Sequence, residues 1–304
     1  MAVPWIMKTL FNPHWRVILL AALIAAPPLY ADDTRPPPDL TKEAASPRLP
    51  GKFVWAELVT DNVAVTRAFY GKMFGWKFRS HGDYVLVSNG GHPLAGMIQR
   101  QRPATQAQAT PRWLGYLSVA DVERAQQAVT RAGGRVVAAP HEVPARGRQA
   151  VFADPEGALF GVIHTTAGDP ADTAAVPGGW IWLQLLSRDA RRAAGFYRSV
   201  GGYQITRNTA ENRSSDYILS SEGIARATVR TLPVDKPAVQ PTWLPFVRVL
   251  HLDQAVAQAK QLGGKVLVSA RPGLLDGKVA VVADPTGAAV GLLEWNPQPT
   301  GGSR

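Results

Sequence analysis

The sequence predicts an α+β fold of two tandem domains, each built from paired units of strand, helix and three strands (βαβββ). Two observations predict it. The first is an internal repeat, because Trp55 and Gly75 recur as Trp182 and Gly202, each 127 residues later. The second is the period of the apolar residues, which changes within each unit from strand-like alternation to helical spacing and back again. Together they indicate one unit written several times.

The repeat extends along most of the chain. Further pieces recur in the same order at offsets of 127 or 130 residues: Leu58, Phe69-Tyr70, Trp113-Leu114, Gly133-Gly134 and the Asp-Pro-x-Gly-Ala run that begins at Asp154 and again at Asp284. Matching order at a nearly constant offset is not expected by chance.

In the first unit, Phe53 to Val59 alternates as a strand, and Val63 to Phe74 carries apolar residues at helical spacing. Two strands, Tyr84 to Val87 and Leu94 to Ile98, flank the turn signal Asn89-Gly90-Gly91. The order predicted for the unit is a strand, a helix and then three strands.

The second unit follows the same order. A strand from Trp113 to Val119 precedes a helix from Val122 to Ala132, which ends at Gly133-Gly134 because glycine adopts the left-handed cap conformation easily. Strands are then predicted at Arg135 to Ala138, Gln149 to Ala153 and Ala158 to His164. Four such units account for the chain from Phe53 to Trp295.

Composition favours a globular protein, with 304 residues of which 46% are hydrophobic and 18% charged. The formal charge of +10 comes from scattered basic residues, and no reading motif or basic stripe accompanies it. We therefore expect no nucleic-acid partner. The chain has no cysteine, which excludes disulfides, thiolate metal ligands and a cysteine nucleophile.

The amino terminus predicts a secretory signal peptide over residues 1–31. Lys8 and Arg16 precede the apolar run Val17 to Ala26, and we expect cleavage after Ala31. The run is about half of the roughly 20 residues that a membrane-spanning helix needs, so the mature form should have no stable membrane span. We expect a periplasmic or secreted protein, and the alternative is a protein anchored by its uncleaved N-terminal segment.

The remaining boundaries follow from composition. Residues 32–51 hold five prolines and predict an extended tether, and residues 166–179 are rich in Gly, Pro, Ala and Asp, as linkers are. The first domain is then residues 52–165, the second 180–296, and the tail 297–304.

These motifs together resemble a known family. The motifs are Phe69-Tyr70 with Phe74-Gly75-Trp76, the helix start at Val119 to Val122, and the two Asp-Pro-x-Gly-Ala runs. In this combination they resemble the vicinal oxygen chelate superfamily, which contains glyoxalases, bleomycin resistance proteins and extradiol dioxygenases. Trp55-Ala56-Glu57-Leu58 is similar to the first strand of its two-domain bacterial branch. The resemblance implies two glyoxalase-like domains, each with paired βαβββ modules in a curved, open barrel and a ligand on the concave face. It does not settle activity, since the family contains lyases, dioxygenases, isomerases and drug-sequestering proteins.

The resemblance also implies where metal ligands would lie. Metal-dependent members place a His, Gln or Glu early in the first strand of each module and a Glu in the last strand, because a divalent ion needs oxygen or imidazole donors. The matching positions here are Trp55, Trp182, Leu114, Leu244, Gly161 and Gly291. None of these side chains can coordinate a metal, so we expect no bound metal and no cofactor.

Glu57 is the candidate catalytic residue. Strand alternation places Trp55, Glu57 and Val59 on one face, and a carboxylate on a concave face could act as an acid, a base or a hydrogen-bond acceptor. The alternative is structural, in which Glu57 pairs with an arginine or a backbone amide. The second copy carries Gln184 at this place, which keeps hydrogen bonding but loses acid/base ability.

The same alternation predicts a ligand site. Trp55, Tyr116, Trp182 and Phe246 would form aromatic walls, Glu57 and Gln184 would supply polar contacts, and Gly161 and Gly291 would leave space for the ligand. Each aromatic residue could instead be ordinary core. Arg146 and Arg148 lie in a loop before a strand and could attract an anionic ligand, but we expect both to have an ordinary place at the surface.

The predicted function is the binding of a small, apolar or aromatic organic molecule in one or both concave sheets without metal, by a monomer or a homodimer. One alternative is a lyase- or dioxygenase-type enzyme that uses displaced metal ligands or Glu57 as acid/base. Another is a structural or partner-binding protein whose concave faces are filled by its own side chains.

Overall fold

A computed structural model describes residues 46–100, 110–208, 216–232, 239–272 and 274–296. The predicted signal peptide, the tether up to residue 45 and the C-terminal tail lie outside the described residues. Among the helices of the described ranges, none is both long and apolar enough to cross a membrane.

The first half of the described chain alternates strands with two helices. Its elements are β1 (Phe53–Thr60), α1 (Val63–Phe74), β2 (Lys77–His81), β3 (Tyr84–Asn89), β4 (His92–Gln99), β5 (Arg112–Ser118), α2 (Val122–Arg131), β6 (Arg135–Val143), β7 (Gly147–Ala153) and β8 (Leu159–Thr165). The sequence analysis located each of these except β2, whose mostly exposed side chains give no apolar alternation.

The second half repeats this order. Its elements are β9 (Trp180–Ser187), α3 (Ala190–Gly201), β10 (Gln204–Arg207), β11 (Tyr217–Ser221), β12 (Ile224–Thr231), β13 (Thr242–Val249), α4 (Leu252–Gln261), β14 (Lys265–Val268), β15 (Val279–Ala283) and β16 (Ala289–Glu294). A short 3₁₀ turn, Leu275–Gly277, precedes β15.

Each half forms one eight-stranded mixed sheet, and the two sheets have the same strand order. The orders are β2-β3-β4-β1-β5-β8-β7-β6 and β10-β11-β12-β9-β13-β16-β15-β14. The two βαβββ modules of each sheet meet where β1 pairs antiparallel with β5 and β9 with β13. Both sheets are curved but not closed, which confirms the predicted α+β fold of tandem glyoxalase-like domains.

Helix ends explain two of the repeated glycines. Asn62 caps α1 by accepting a hydrogen bond from the Val65 amide, and the helix ends at Gly75, where φ is 72°. Asp189 caps α3 in the same way, and that helix ends at Gly202 with φ 68°. Both termini need a left-handed residue, which glycine adopts at the least steric cost.

The helix-bearing faces of the two sheets pack together. One core joins Phe152 and Phe160 of the first sheet to Phe196 and Tyr197 of α3, and a second core joins α1 to α4. Their buried polar groups are matched, since Trp243 Nε1 donates to the Tyr197 hydroxyl at 2.8 Å and that hydroxyl donates to Asp154 Oδ2 at 3.2 Å. Each domain therefore completes its core with the other.

The described end of the predicted tether is docked on the protein. Asp169, in the linker between the sheets, accepts hydrogen bonds from the Leu49 amide at 2.6 Å and from Ser118 Oγ at 2.6 Å. Lys52 forms an ion pair with Asp172 at 2.9 Å. Residues 46–52 thus run against the linker rather than away from the domain.

Candidate functional site

The concave face of the first sheet carries the residues that strand alternation placed there. Ala56 and Leu58 pack into the core with the helices, so Trp55 and Glu57 point to the opposite side. Trp55 pairs in register with Tyr116, and Glu57 with Leu114. We call this face, with Trp55, Glu57, Tyr84, Tyr116 and Arg146, the first cup.

Glu57 is buried in the first cup and both of its oxygens are engaged. Arg146 Nη1 donates to Oε1 at 2.8 Å, and the Tyr84 hydroxyl donates to the same oxygen at 3.2 Å. The Tyr116 hydroxyl donates to Oε2 at 2.7 Å. These contacts favour the structural interpretation of Glu57 over the acid/base one, because both of its oxygens are already hydrogen-bonded within the protein.

Arg146 is the part of this site that the sequence analysis placed wrongly. Its side chain is 1% exposed rather than on the surface, and its Nη2 donates to the Tyr84 hydroxyl at 2.8 Å. The guanidinium carbon also lies 5.0 Å from the ring centroids of both Trp55 and Tyr84. Arg148 does lie nearer the surface, where it pairs with Glu123 and Glu142.

The backbone before Arg146 is strained. Ala145 has φ 62°, a left-handed conformation that costs a non-glycine residue about 1–2 kcal/mol. Gly147 follows so closely against the His164 carbonyl that a Cβ would collide with it. This tight turn between β6 and β7 aims Arg146 across the sheet toward β1 and β3.

The Tyr116 hydroxyl of the first cup acts as a donor in its neutral form. Burial raises the pKa of Tyr116 well above its ordinary value, and the neighbouring Glu57 carboxylate raises it further. Tyr84 links the site, because it accepts from Trp55 Nε1 at 3.2 Å while it donates to Glu57. The raised pKa keeps the Tyr116 hydroxyl protonated as a hydrogen-bond donor.

The glycines of the cups do not leave open room, which corrects that part of the site prediction. A Cβ at Gly161 would collide with the ring of Tyr116, and one at Gly96 would collide with the hydroxyl end of Tyr84. In the second sheet, a Cβ at Gly291 would collide with the ring of Phe246. At each of these glycines, an aromatic ring of the same domain occupies the space that a side chain would need.

The concave face of the second sheet is apolar around Phe246, where the first sheet carries a buried ion pair. Trp182 pairs in register with Phe246, which in turn pairs with Gly291. Leu244, Phe246, Leu274 and Val279 form a buried cluster there, with the half-buried Trp182 packed against it. We call this face, with Trp182, Gln184, Leu244, Phe246 and Leu274, the second cup.

No arginine stands in the second cup at the place of Arg146. The offset that relates Asp154 to Asp284, 284 − 154 = 130, relates Arg146 to Asp276, which is exposed. The turn here keeps left-handed residues, with φ 46° at Leu275 and 54° at Asp276. It places Leu274 in the cup, only 9% exposed, instead of a charge.

Gln184 occupies the place of Glu57 in the second cup. Its register partners are Thr228 and Leu244, and the nearby Trp182 Nε1 donates to Thr228 Oγ1 at 3.1 Å. Within the part of the chain that the structure describes, the Gln184 side chain makes no hydrogen bond to protein, and it is half-buried. In the second cup, the Gln184 amide therefore lies among apolar side chains without a hydrogen bond to the described residues.

Neither cup fits a divalent metal. Indole, leucine and glycine at the matching positions offer no donor, and the described ranges hold no cluster of three or more His, Asp or Glu side chains that could bind an ion. In the first cup the one carboxylate, Glu57, already contacts the guanidinium of Arg146. That fixed positive charge opposes a second cation at the same oxygens.

Comparison with known proteins agrees with this architecture. The sequence profile of the Glyoxalase/Bleomycin resistance protein/Dioxygenase superfamily matches residues 52–162. The anthracycline biosynthesis protein DauV of Streptomyces sp. (strain C5) is 30% identical over 260 residues, which cover 81% of this chain and 94% of that protein.

Solved structures support the fold. A Mn(II)-bound glyoxalase from Novosphingobium aromaticivorans aligns with a TM-score of 0.54 at 16% identity, covering 81% of this chain and 82% of that one. Homoprotocatechuate 2,3-dioxygenase from Brevibacterium fuscum aligns with a TM-score of 0.57 at 12% identity, covering 84% and 85%. At these identities the likeness concerns the fold alone.

Proposed function

We propose that this chain, which belongs to the glyoxalase/bleomycin resistance protein/dioxygenase superfamily, binds a small and largely apolar or aromatic organic molecule in the second cup, without metal. The first cup is closed by its own side chains, because Arg146 and Glu57 fill it with a buried ion pair. Among the described residues, no such ion pair lies in the second cup, and Trp182 and Gln184 are partly exposed there.

The observation that carries the proposal is the amide of Gln184. A polar group among apolar walls is costly to desolvate unless it gains a hydrogen bond, so a ligand that covers Gln184 must itself supply one. An amide both donates and accepts, so the matching group is a neutral carbonyl or hydroxyl rather than a charge. One such contact on an apolar wall is the usual arrangement of a small-molecule site.

The walls favour a flat ligand. Trp182 is partly exposed and offers an aromatic surface on the same face as Gln184, and the buried Phe246 is paired with it on the neighbouring strand. Aromatic rings pack well against planar molecules in offset or edge contacts. The alignment with the anthracycline biosynthesis protein covers 94% of that relative. Anthracyclines are planar, polycyclic molecules with carbonyl and hydroxyl groups, so this similarity supports a ligand of that kind.

Ligand titration tests the proposal. Purified protein is titrated with a hydroxyanthraquinone and with an aliphatic molecule of similar size, with tryptophan fluorescence and calorimetry as readouts. We expect saturable binding of the planar compound, weakened about three- to tenfold by Gln184→Leu, since one hydrogen bond contributes about 0.5–1.5 kcal/mol net.

The matched control is Gln204→Leu, the same change on the exposed edge strand β10. It should bind like the unchanged protein. Absence of binding in the unchanged protein, or equal affinities of Gln184→Leu and Gln204→Leu, would remove the second cup from the function.

We also propose that the protein is exported after cleavage behind Ala31. The support is the order of charged, apolar and small residues in the first 31 positions of the sequence. Intact-mass measurement of the protein from the periplasmic fraction should give a chain that begins at Asp32. Recovery of the full-length chain from membranes would favour the anchored alternative. The assembly, a monomer or a homodimer, stays a prediction that sedimentation can decide.

A further inference from the structure

We infer that the first cup is a binding site for a guanidinium cation and that Arg146 of the same chain occupies it as a tethered ligand. The site consists of one carboxylate, Glu57, with the hydroxyl of Tyr84 and the faces of two aromatic rings. It is distinct from the second cup and independent of the ligand proposed there.

The polar contacts match the planar fork of a guanidinium. Two different nitrogens of Arg146 donate side by side, Nη1 to Glu57 Oε1 and Nη2 to the Tyr84 hydroxyl, both at 2.8 Å, and these two acceptors lie 3.2 Å apart. A planar guanidinium offers adjacent N–H donors in a rigid fork to such a pair, whereas an ammonium group is a compact point charge on a flexible stem. The arrangement therefore selects the shape of the cation as well as its charge.

The aromatic contacts complete a cage. The guanidinium carbon lies 5.0 Å from the ring centroids of Trp55 and of Tyr84, within the range of cation–π attraction. Trp55 Nε1 also donates to the Tyr84 hydroxyl, which fixes both rings relative to each other. Aromatic walls around a carboxylate are a general solution for holding an organic cation out of water.

The residues that form the site come from other elements than its occupant. The rings of Tyr84 and Tyr116 lie against Gly96 and Gly161, where any side chain would displace them. Glu57, Tyr84 and Tyr116 come from β1, β3 and β5, whereas Arg146 comes from the turn between β6 and β7. A cage that is filled by a residue from a separate, strained turn has the organisation of a receptor with its ligand attached.

Removing the ligand while keeping the receptor gives the test. Arg146→Ala deletes the guanidinium, and Arg148→Ala is the matched control, because Arg148 lies two residues away on the same hairpin and is partly exposed. Thermal unfolding of the full chain is followed with increasing methylguanidinium chloride, against equal concentrations of sodium chloride.

We expect methylguanidinium in the millimolar range to raise the melting temperature of Arg146→Ala and of no other form. At a tenfold excess over its dissociation constant, a ligand raises the folded-to-unfolded ratio about tenfold. The double variant Glu57→Gln, Arg146→Ala should lose this response, because the neutral amide no longer attracts the cation. Equal responses of Arg146→Ala and Arg148→Ala, or an undiminished response of the double variant, would overturn the inference.

A second measurement covers the case in which Arg146→Ala does not fold unaided. The variant is refolded from urea with graded methylguanidinium or with tetramethylammonium, which carries the charge without the planar donors. Recovery that rises with methylguanidinium alone supports the site. Recovery that is the same with both cations, or absent with both, contradicts it.

Discussion

The two cups of this protein have the same strand order and opposite interiors. In the first, Glu57 is neutralised by Arg146, and the polar groups satisfy one another inside the fold. In the second, Gln184 replaces the carboxylate, and the turn that would carry the arginine supplies Leu274 instead. A buried carboxylate requires a counter-charge, whereas a buried amide requires only a hydrogen bond. One change of charge therefore separates a cup whose polar groups pair with one another from a cup whose Gln184 amide has no hydrogen-bond partner among the described residues.

The largest expected effect comes from breaking the ion pair on one side. Arg146→Met should lower the free energy of unfolding by about 3–5 kcal/mol, because it leaves the charge of Glu57 buried and uncompensated. Adding Glu57→Gln, which makes the first cup resemble the second, should recover most of that loss. Urea unfolding of both variants measures the difference. A double variant as unstable as Arg146→Met would show that the packing of Arg146, and not its charge, is what the cup needs.

Substituting the glycine under the aromatic ring should destabilise both cups by a similar amount. Gly161→Ala and Gly291→Ala each force an aromatic ring away from the sheet, and overpacking of this kind costs about 1–3 kcal/mol of unfolding free energy. Gly195→Ala is the control, because it lies in α3 with nothing near its Cβ position, and alanine should there be neutral or stabilising. If Gly291→Ala were tolerated, the ring of Phe246 would be movable, and the second cup would be able to widen.

A smaller effect concerns the pH dependence of the free energy of unfolding, to which one buried aspartate in each domain contributes. Burial raises the pKa of Asp154, and likewise of its counterpart Asp284, above the ordinary value. A raised folded pKa contributes stability that is present below the unfolded value of about 3.9 and is lost as pH rises through the folded value. Asp154→Asn keeps an acceptor for the turn amides and should remove this loss. Urea unfolding between acidic and neutral pH measures it, and parallel curves for the variant and the unchanged protein would contradict the cause.

The smallest effect tests the strained turns. Ala145→Gly should stabilise the protein by about 0.5–1 kcal/mol, since glycine adopts φ 62° without the steric cost although it gains entropy when unfolded. Leu275→Gly, at φ 46°, is the matching change beside the second cup. Equal increases in the free energy of unfolding for the two variants would mean that the two turns differ only in the side chain that they place in the cup. A loss in Ala145→Gly alone would mean that stiffness of the turn is needed to aim Arg146.

Sequence reasoning located the candidate site but misjudged how its parts meet. Strand alternation placed Trp55, Glu57 and Tyr116 on one face, and the structure has them there. Tyr84 and Arg146 were missed as members of the site. A tyrosine opening a strand and an arginine in a turn have ordinary local patterns, and only Gly147, directly after Arg146 and before a predicted strand, could have hinted at a fixed turn.

What the sequence by itself determined is the repeat, the order of strands and helices, the face on which each strand residue lies, and the lack of metal donors at the matching positions. These are properties of neighbouring residues, because side-chain direction in a strand or helix follows from local backbone geometry. Only the tertiary structure decided that Arg146 reaches Glu57, 89 residues away, and that the glycines seat rings instead of leaving space. Such contacts depend on the curvature of each sheet and on which turn reaches across it. The spacing of apolar residues along the chain predicts neither of these.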